Sequence, residues 1–243
     1  LELILDFCNN HCGNEDILLQ MLKTAYDNQV NFVKFQLYNP EKLNPDYPGC
    51  QDYKRYLEKC KITEYFLKLI EDKCNTYAIH PIFTIFTPDV LINLKNFNAL
   101  YSLKIASPDM LNYKLIDAVV KSKSKVWIST GMHTKIEITK TIDRYKKQAK
   151  FMYCISRYPT EESDINYSEM LTFDGFSDHT LGIIAAQKAF IKGVQFVEKH
   201  FTLSKYLPGR DHHMSMTPDE LEKLMIWVKY KNSIEIYKKR WVE

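Results

Sequence analysis

Eight short runs rich in β-branched and aromatic residues recur along the chain, each followed by a longer polar or amphipathic stretch, and this alternation restricts the fold more than any other feature. The runs are LILDFC (3–8), FVKFQLY (32–38), IFTIFT (82–87), SLKIAS (102–107), KVWIST (125–130), KFMYCIS (150–156), FDGFSDH (173–179) and QFVEKHF (195–201). Between them EDILLQMLKTAYDNQ, YKLIDAVVKSKS, TKIEITKTIDRYKK and GIIAAQKAFIKG place apolar residues at three- and four-residue spacing, the period of a helix with one buried face. In the third and sixth units the helical segment is short or interrupted by Pro and Asn. Strands joined by helical crossovers lie parallel, and eight such units in 243 residues match the count and length of a (β/α)8 TIM barrel. An open doubly wound sheet is the alternative, but the G-x-G-x-x-G turn with which such a sheet binds a dinucleotide is absent.

The closing segment TPDELEKLMIWVKYKNSIEIYKK predicts a long last helix, with Thr217 before it, Pro218 at its first position and Glu220 at the capping-box position. No Pro/Ser-rich linker or further strand set follows, so residues 1–243 read as a single α/β barrel domain. A net charge of +3 without a basic block argues against nucleic acid as a partner. No apolar stretch approaches the roughly 20 residues that span a bilayer, and LELILDFCNN lacks the basic start of a signal peptide. The expectation is a cytoplasmic protein without a membrane partner. Its six cysteines, Cys8, Cys12, Cys50, Cys60, Cys74 and Cys154, form no C-x-x-C pair and are expected as free thiols; Cys8 and Cys12 fall near the mouth of the barrel, with no activating base evident for either.

Chemistry in a TIM barrel sits at the carboxyl ends of the strands. Asp6, followed by Asn9, Asn10 and His11, ends the first strand; Lys34 and Gln36 punctuate the second; Thr87 ends the third. Lys104, Ser107 and Asp109 close the fourth, Ser129 and Thr130 the fifth, and Ser156 and Tyr158 the sixth. Ser177, Asp178 and His179 end the seventh, and Glu198 and His200 the eighth. A strand-end histidine can be no more than a hydrogen-bonded structural residue, and a Ser or Thr there can simply cap the next helix. Lys34 and Lys104 are harder to explain so, because an unpaired ammonium inside a barrel is costly. Two lysines and several hydroxyls in one mouth suit a phosphate and a carboxylate. His179 and His200, on adjacent strands, can reach one divalent ion of manganese or zinc type.

The stretches KIASPDMLNY, STGM, YPT, FSDHTLG and VEKHFTL…PGRDH, in this order and spacing, resemble the sialic acid synthase family of N-acetylneuraminate, legionaminate and pseudaminate synthases. The likeness runs from NNHCG at 9–13 to MTPDEL at 216–221. It implies a metal-dependent condensation of phosphoenolpyruvate with an aldehyde sugar such as N-acetylmannosamine, giving a 3-deoxy-2-ulosonic acid and phosphate. By resemblance, His179 and His200 ligate a divalent ion, Mn2+ or Mg2+, and Lys34 and Lys104 hold the phosphoenolpyruvate. Thr87, Ser107, Ser129, Ser156 and Ser177 line its phosphate pocket. Asp109 falls near the reacting water, and Gln36, Tyr158 and Asp211 fall among the substrate contacts. Glu198 and Asp109 are the proton-acceptor candidates, while Lys199 is expected to point outward to the helices or solvent.

Three departures qualify the likeness. The family's first strand reads A-E-I-G-x-N-H, whereas L-D-F-C-N-N-H places the shorter Asp6 where a glutamate contacts the sugar. Usual members carry a carboxyl-terminal domain resembling antifreeze protein that reaches a dimer partner's site; this chain stops after the eighth helix, and a homodimer is an open expectation. Arg210 adds a positive charge beside Asp211, which suits a more anionic acceptor. The alternatives are therefore condensation with a phosphorylated sugar, as in octulosonate or heptulosonate phosphate synthases, and a non-catalytic barrel that binds a sugar acid.

Overall fold

The computed structural model describes residues 1–43, 50–122 and 124–241. In chain order its elements are β1 (Glu2–Asp6), α1 (Glu15–Asp27), β2 (Phe32–Leu37), α2 (Cys50–Cys60), α3 (Glu64–Tyr77), β3 (His80–Ile85), β4 (Ser102–Ile105) and α4 (Tyr113–Val120). There follow β5 (Lys125–Ser129), α5 (Lys135–Tyr145), β6 (Ala149–Cys154), α6 (Tyr167–Met170), β7 (Gly175–Asp178), α7 (Ile184–Ile191), β8 (Phe196–His200) and α8 (Pro218–Trp241). The strands pair in sequence order, all parallel, and β8 closes on β1 through Glu2↔Phe196 to Asp6↔His200. The fold is the expected (β/α)8 barrel.

The third and sixth units deviate as their sequences suggested. Pro88 lies just past β3, and the chain answers with a 3-10 helix, Pro88–Leu94, instead of an α-helix. After β6 a single turn, α6, does the same duty. At α1 and α5 the helix starts are capped: Asn14 accepts from the Ile17 amide, and Thr134 with Glu137 forms a full capping box at α5. At α8 Glu220 accepts from the Thr217 amide at 2.9 Å, as its position predicts.

Side chains alternate across each strand, so one set packs outward on the helices and the other fills the lumen. The outward set, including Leu5, Phe35, Phe83, Leu103, Ile128 and Val197, merges with helix residues such as Leu18, Met21, Ile70, Leu115 and Phe190 into the main core. Burying each such side chain contributes about 1.5–3 kcal/mol. A smaller cluster of Ile4, Ile82, Trp127 and Met152, packed with Phe32 and Phe196, plugs the lower lumen. Cys8, Cys12, Cys60, Cys74 and Cys154 are free thiols; the side chain of Cys50 lies outside the described residues. Among the described residues no helix is long and apolar enough to cross a membrane.

Candidate active site

One step above the apolar plug, the inward position of every strand carries a different kind of residue: Asp6, Lys34, Thr84, Lys104, Ser129, Cys154, Ser177 and Glu198. Seven of these eight bear a charge or a hydroxyl, and all eight line one cavity of about 600 Å³ at the carboxyl end of the barrel. Its upper wall adds Gln36, Ser107, Ser156, Tyr158, His179, His200, Arg210, Asp211 and His213. The belt is a direct result of the two-residue period: two residues past Ile4, Phe32, Ile82, Trp127, Met152 and Phe196 stand Asp6, Lys34, Thr84, Ser129, Cys154 and Glu198, so the pleat turns all six into the same cavity.

Glu198 organises the belt. Its Oε1 accepts from Lys34 Nζ at 3.0 Å, from Ser177 Oγ at 2.9 Å and from Lys104 Nζ. Lys34 also pairs with Asp6 Oδ2 at 2.7 Å. Glu198 Oε2, by contrast, is buried without a partner, as are the hydroxyls of Thr84 and Ser129. Buried polar atoms are nearly always bonded, so orphans that line one cavity mark where a polar ligand belongs. Burial alone would raise the Glu198 carboxyl, but the two ammoniums hold it well below the usual carboxylate range. Burial pushes the Lys34 amine down, yet Asp6 and Glu198 more than offset it and keep it above the ordinary lysine range. For Lys104 burial prevails, helped by Lys34, and its amine falls below that range.

The two histidines face one another across the top of β7 and β8, ring centroids 5.3 Å apart and nearly perpendicular. The carbonyl of Ile155 can only accept, so His179 donates to it through Nδ1 at 2.9 Å and keeps an Nε2 lone pair in the neutral form. Tyr158 stacks on His179 with centroids 4.1 Å apart. His200 Nε2 lies 3.4 Å from Asp6 Oδ2, and its Nδ1 lies 3.1 Å from Cys8 Sγ. Burial, against the pull of Asp6 and Asp211, lowers the His200 imidazole and favours its neutral form. Asp6, Cys8 and His200 form a group that can hold a metal ion, one donor atom from each lying within 4.8 Å of the others.

A small polar cradle closes the β5 side. The Gly131 amide donates to Ser107 Oγ at 3.1 Å. A Cβ on Gly131 would stand 2.3 Å from Ser156 Oγ and 3.0 Å from Ser107 Oγ, so only glycine leaves both hydroxyls in place.

Not every expected residue reaches this cavity. Thr87 and Asp109 line a separate cavity of about 240 Å³ with Lys42, Asp89 and Asn112. Thr87 stands three residues past the inward Thr84 and so has the opposite parity; it precedes the 3-10 helix and accepts from the Asn39 amide at 3.2 Å. Asp109 ends the 3-10 turn Ser107–Asp109 and accepts from Asn112 Nδ2 at 3.3 Å. Asn9 and Asn10 are engaged in loop closure: Asn9 accepts from Tyr38, while Asn10 donates to the Phe201 carbonyl and Ser215. Lys199 does turn outward from the lumen, but solvent does not reach it: it is 1% exposed. It pairs with Asp178 Oδ2 at 2.9 Å and donates to the Thr180 carbonyl at 2.8 Å.

Thr84 and Cys154 line the cavity without having been singled out in the sequence. Thr84 reads as an ordinary β-branched strand residue, although its two-residue offset from Ile82 was a usable signal. Burial would raise the Cys154 thiol, but His179 draws it down to about 7.

The sequence model described as the NeuB family matches residues 21–235. An uncharacterized Methanocaldococcus jannaschii protein is 32% identical over 227 residues, covering 89% of this chain and 66% of that protein. The N,N'-diacetyllegionaminic acid synthase of Legionella pneumophila is 29% identical over 245 residues, covering 89% of this chain and 68% of the enzyme. The chain thus spans about two thirds of the length of these relatives. Among solved structures, an N-acetylneuraminic acid synthetase of Leptospira borgpetersenii in complex with citrate superposes with TM-score 0.86 at 29% identity, covering 96% of this chain and 84% of that one. A truncated 3-deoxy-D-arabino-heptulosonate 7-phosphate synthase of Thermotoga maritima, at 11% identity and TM-score 0.74, covers 96% of this chain and 87% of that one and shares the fold.

Proposed function

The chain belongs to the NeuB family, and on that premise we propose that it condenses phosphoenolpyruvate with an aldehyde sugar of the N-acetylmannosamine type, giving a 3-deoxy-2-ulosonic acid and phosphate. The observation that carries this reading is the belt: Lys34 and Lys104 converge on one oxygen of Glu198, beside buried hydroxyls and a carboxylate oxygen that have no partner.

Phosphoenolpyruvate is a compact trianion at neutral pH. Lys104, the less tightly held ammonium, with the hydroxyls of Thr84, Ser107, Ser129 and Ser156, supplies donors for its phosphate and carboxylate. Ser177 and Lys34, both on Glu198, set the base of that pocket. In the reaction C3 of the enol forms a bond to the aldehyde carbon, whose oxygen takes a proton. Water adds at C2, and the C2–O bond to phosphate breaks to leave the keto acid. Glu198 stays ionised and offers Oε2 as the proton acceptor for that water.

A divalent ion fits the mouth. Its fixed charges cancel, since Asp6, Glu198 and Asp211 face Lys34, Lys104 and Arg210, so an anionic substrate gains from an added cation. His179 and His200 would hold the ion, which when bound polarises the aldehyde oxygen. Arg210, on the cavity wall with its guanidinium over the Tyr53 ring, favours a second reading in which the acceptor sugar carries a phosphate or carboxylate.

Incubation with phosphoenolpyruvate, a divalent ion and a panel of neutral and phosphorylated aldehyde sugars, followed by phosphate release and product mass, tests both readings. Sugar-dependent release is the expected result, and the productive acceptor selects between them. Phosphoenolpyruvate binding without turnover on any acceptor would point to the non-catalytic barrel.

A further inference from the structure

We infer that Cys8 is a direct thiolate ligand in the mouth, so that with His200 and His179 it selects a borderline ion such as Zn2+ or Co2+ over Mn2+ or Mg2+. This rests on the reading that the mouth holds a divalent ion, and it replaces the hard-ion preference that the family resemblance implies.

Cys8 stands two residues beyond the inward Asp6, where β1 turns into its loop, and it is wholly buried. Its Sγ lies 3.1 Å from His200 Nδ1, and one donor atom each of Asp6, Cys8 and His200 fits within 4.8 Å. Among the described residues this is the sole group of three or more His, Cys, Asp or Glu donors so placed. Asp6 has little capacity left within it: Oδ2 pairs with Lys34 at 2.7 Å, and Oδ1 accepts from the Cys8 amide at 3.0 Å. The sulfur and the imidazole share one proton in their mutual hydrogen bond, and a metal ion would take that proton's place between them. A zinc–sulfur bond of about 2.3 Å and a zinc–nitrogen bond of about 2.0 Å suit neighbours this close. One further feature of the cavity suits a cation: the buried, unpartnered Oε2 of Glu198, two residues before His200.

The thiol that lines the cavity wall, Cys154, is a poorer donor. Cys154 Sγ stands 3.9 Å from His179 Nδ1, the nitrogen already given to the Ile155 carbonyl, and it falls outside the donor group. Cys12 is farther along the loop, engaged with His212 and the Pro208 carbonyl. Coordination breaks the Cys8 S–H bond and forms one sulfur–metal bond, and the proton leaves to solvent. A thiolate in the donor set moves preference away from ions that favour all-oxygen shells.

The test is Co2+ titration of the chelator-treated full chain, read by absorbance and by bound metal per chain. Wild type is expected to show both visible ligand-field bands and a near-ultraviolet sulfur-to-cobalt charge-transfer band. Cys8→Ser should lose the charge-transfer band while keeping bound cobalt, and Cys154→Ser and Cys12→Ser should retain it. Zn2+ affinity in Cys8→Ser should fall by at least the roughly 10–100-fold that loss of an outer-shell partner costs, with Mn2+ affinity little changed. Because Cys8 has a φ of 45°, Cys8→Gly is the second variant, which this backbone accepts without strain should the serine variant fold poorly. Cobalt bound without a charge-transfer band in wild type, or a band that persists in both Cys8 variants, overturns the ligand and leaves the histidine site standing. Failure of wild type to bind any cobalt overturns both.

Discussion

Glu198 and Lys199 are adjacent on β8 and equally buried, at 2% and 1% exposure, yet they belong to two different kinds of charge cluster. Lys199, on the outer wall, is closed off: its amine meets Asp178 and the Thr180 carbonyl, and Asp178 Oδ1 accepts from the Thr180 amide at 2.8 Å. Glu198, in the lumen, is left open: three donors crowd Oε1 and none reaches Oε2. A closed pair can do little beyond fixing the loop from β7, on which His179 sits. An open cluster can exchange partners with a ligand without uncovering a new desolvated charge. Burial does not separate the two charges; what differs is the carboxylate, since both oxygens of Asp178 are engaged while Glu198 keeps Oε2 unused.

The hardest test of that contrast is Lys199→Met, which removes one half of the closed pair and leaves the Asp178 carboxylate buried. A loss of about 3–5 kcal/mol is expected, seen in denaturant or thermal melts as a Tm drop of roughly 6–20 °C for a chain of this size. Substituting both partners, Lys199→Met with Asp178→Leu, should recover most of it, since an apolar pair of similar volume is often neutral. A single variant as stable as wild type would erase the distinction. Lys104→Met is the mirror experiment in the lumen. Glu198 keeps Lys34 and Ser177, so stability should change little, while phosphate release falls by roughly 10²–10³, the usual cost of one transition-state donor. Equal losses of stability in the two lysine variants would show that inner and outer clusters do the same work.

The pH dependence sharpens the comparison further. Glu198 is held below its ordinary value in the fold, so its ionised form contributes stability that is complete above the unfolded value of about 4.3. That contribution fades as pH falls through the depressed folded value. Measured by urea midpoints, the advantage of wild type over Glu198→Gln should therefore be constant near neutrality and shrink only in strong acid. An advantage that disappears already above pH 5 would mean that the ammoniums do not hold this carboxylate.

How much of this could be read from residue order follows from the same alternation. Parity within a strand was visible, so Asp6, Lys34, Lys104, Ser177 and Glu198 fall together in the lumen and Lys199 on the far side. The strand's end was less visible. Reading the third run to residue 87 favoured Thr87, whereas β3 stops at Ile85 and the inward hydroxyl is Thr84. Beyond strand ends the two-residue rule lapses, which is why Asp109 in its 3-10 turn fell in the neighbouring cavity. The place of Cys8 near the mouth follows from the end of the first run, but its approach to His200 does not: its left-handed backbone, φ 45°, is a conformation that nothing in LDFCNN announces. The Asp178 partner of Lys199 was in plain view on the neighbouring run, but only the register Asp178↔Lys199 makes the pair evident.

The smallest effect is expected at the edge of the open region, where space and not charge is the variable. Gly131 leaves Ser107 and Ser156 their hydroxyl positions, and an added Cβ would stand 2.3 Å from Ser156 Oγ. The hydroxyl of Ser156 can swing aside, so Gly131→Ala should fold with little loss of stability but displace a donor from the cradle. If that cradle holds the phosphate, KM for phosphoenolpyruvate should rise about tenfold, close to 1.4 kcal/mol, with kcat much less affected. Removing the obstructed group, Gly131→Ala with Ser156→Ala, should then cost no more than Ser156→Ala alone, because the same donor is lost in each. Additive losses in that double variant would mean that Gly131 acts through the backbone near Met132, whose φ is 71°, and that the open hydroxyls on this side do not bind the donor substrate.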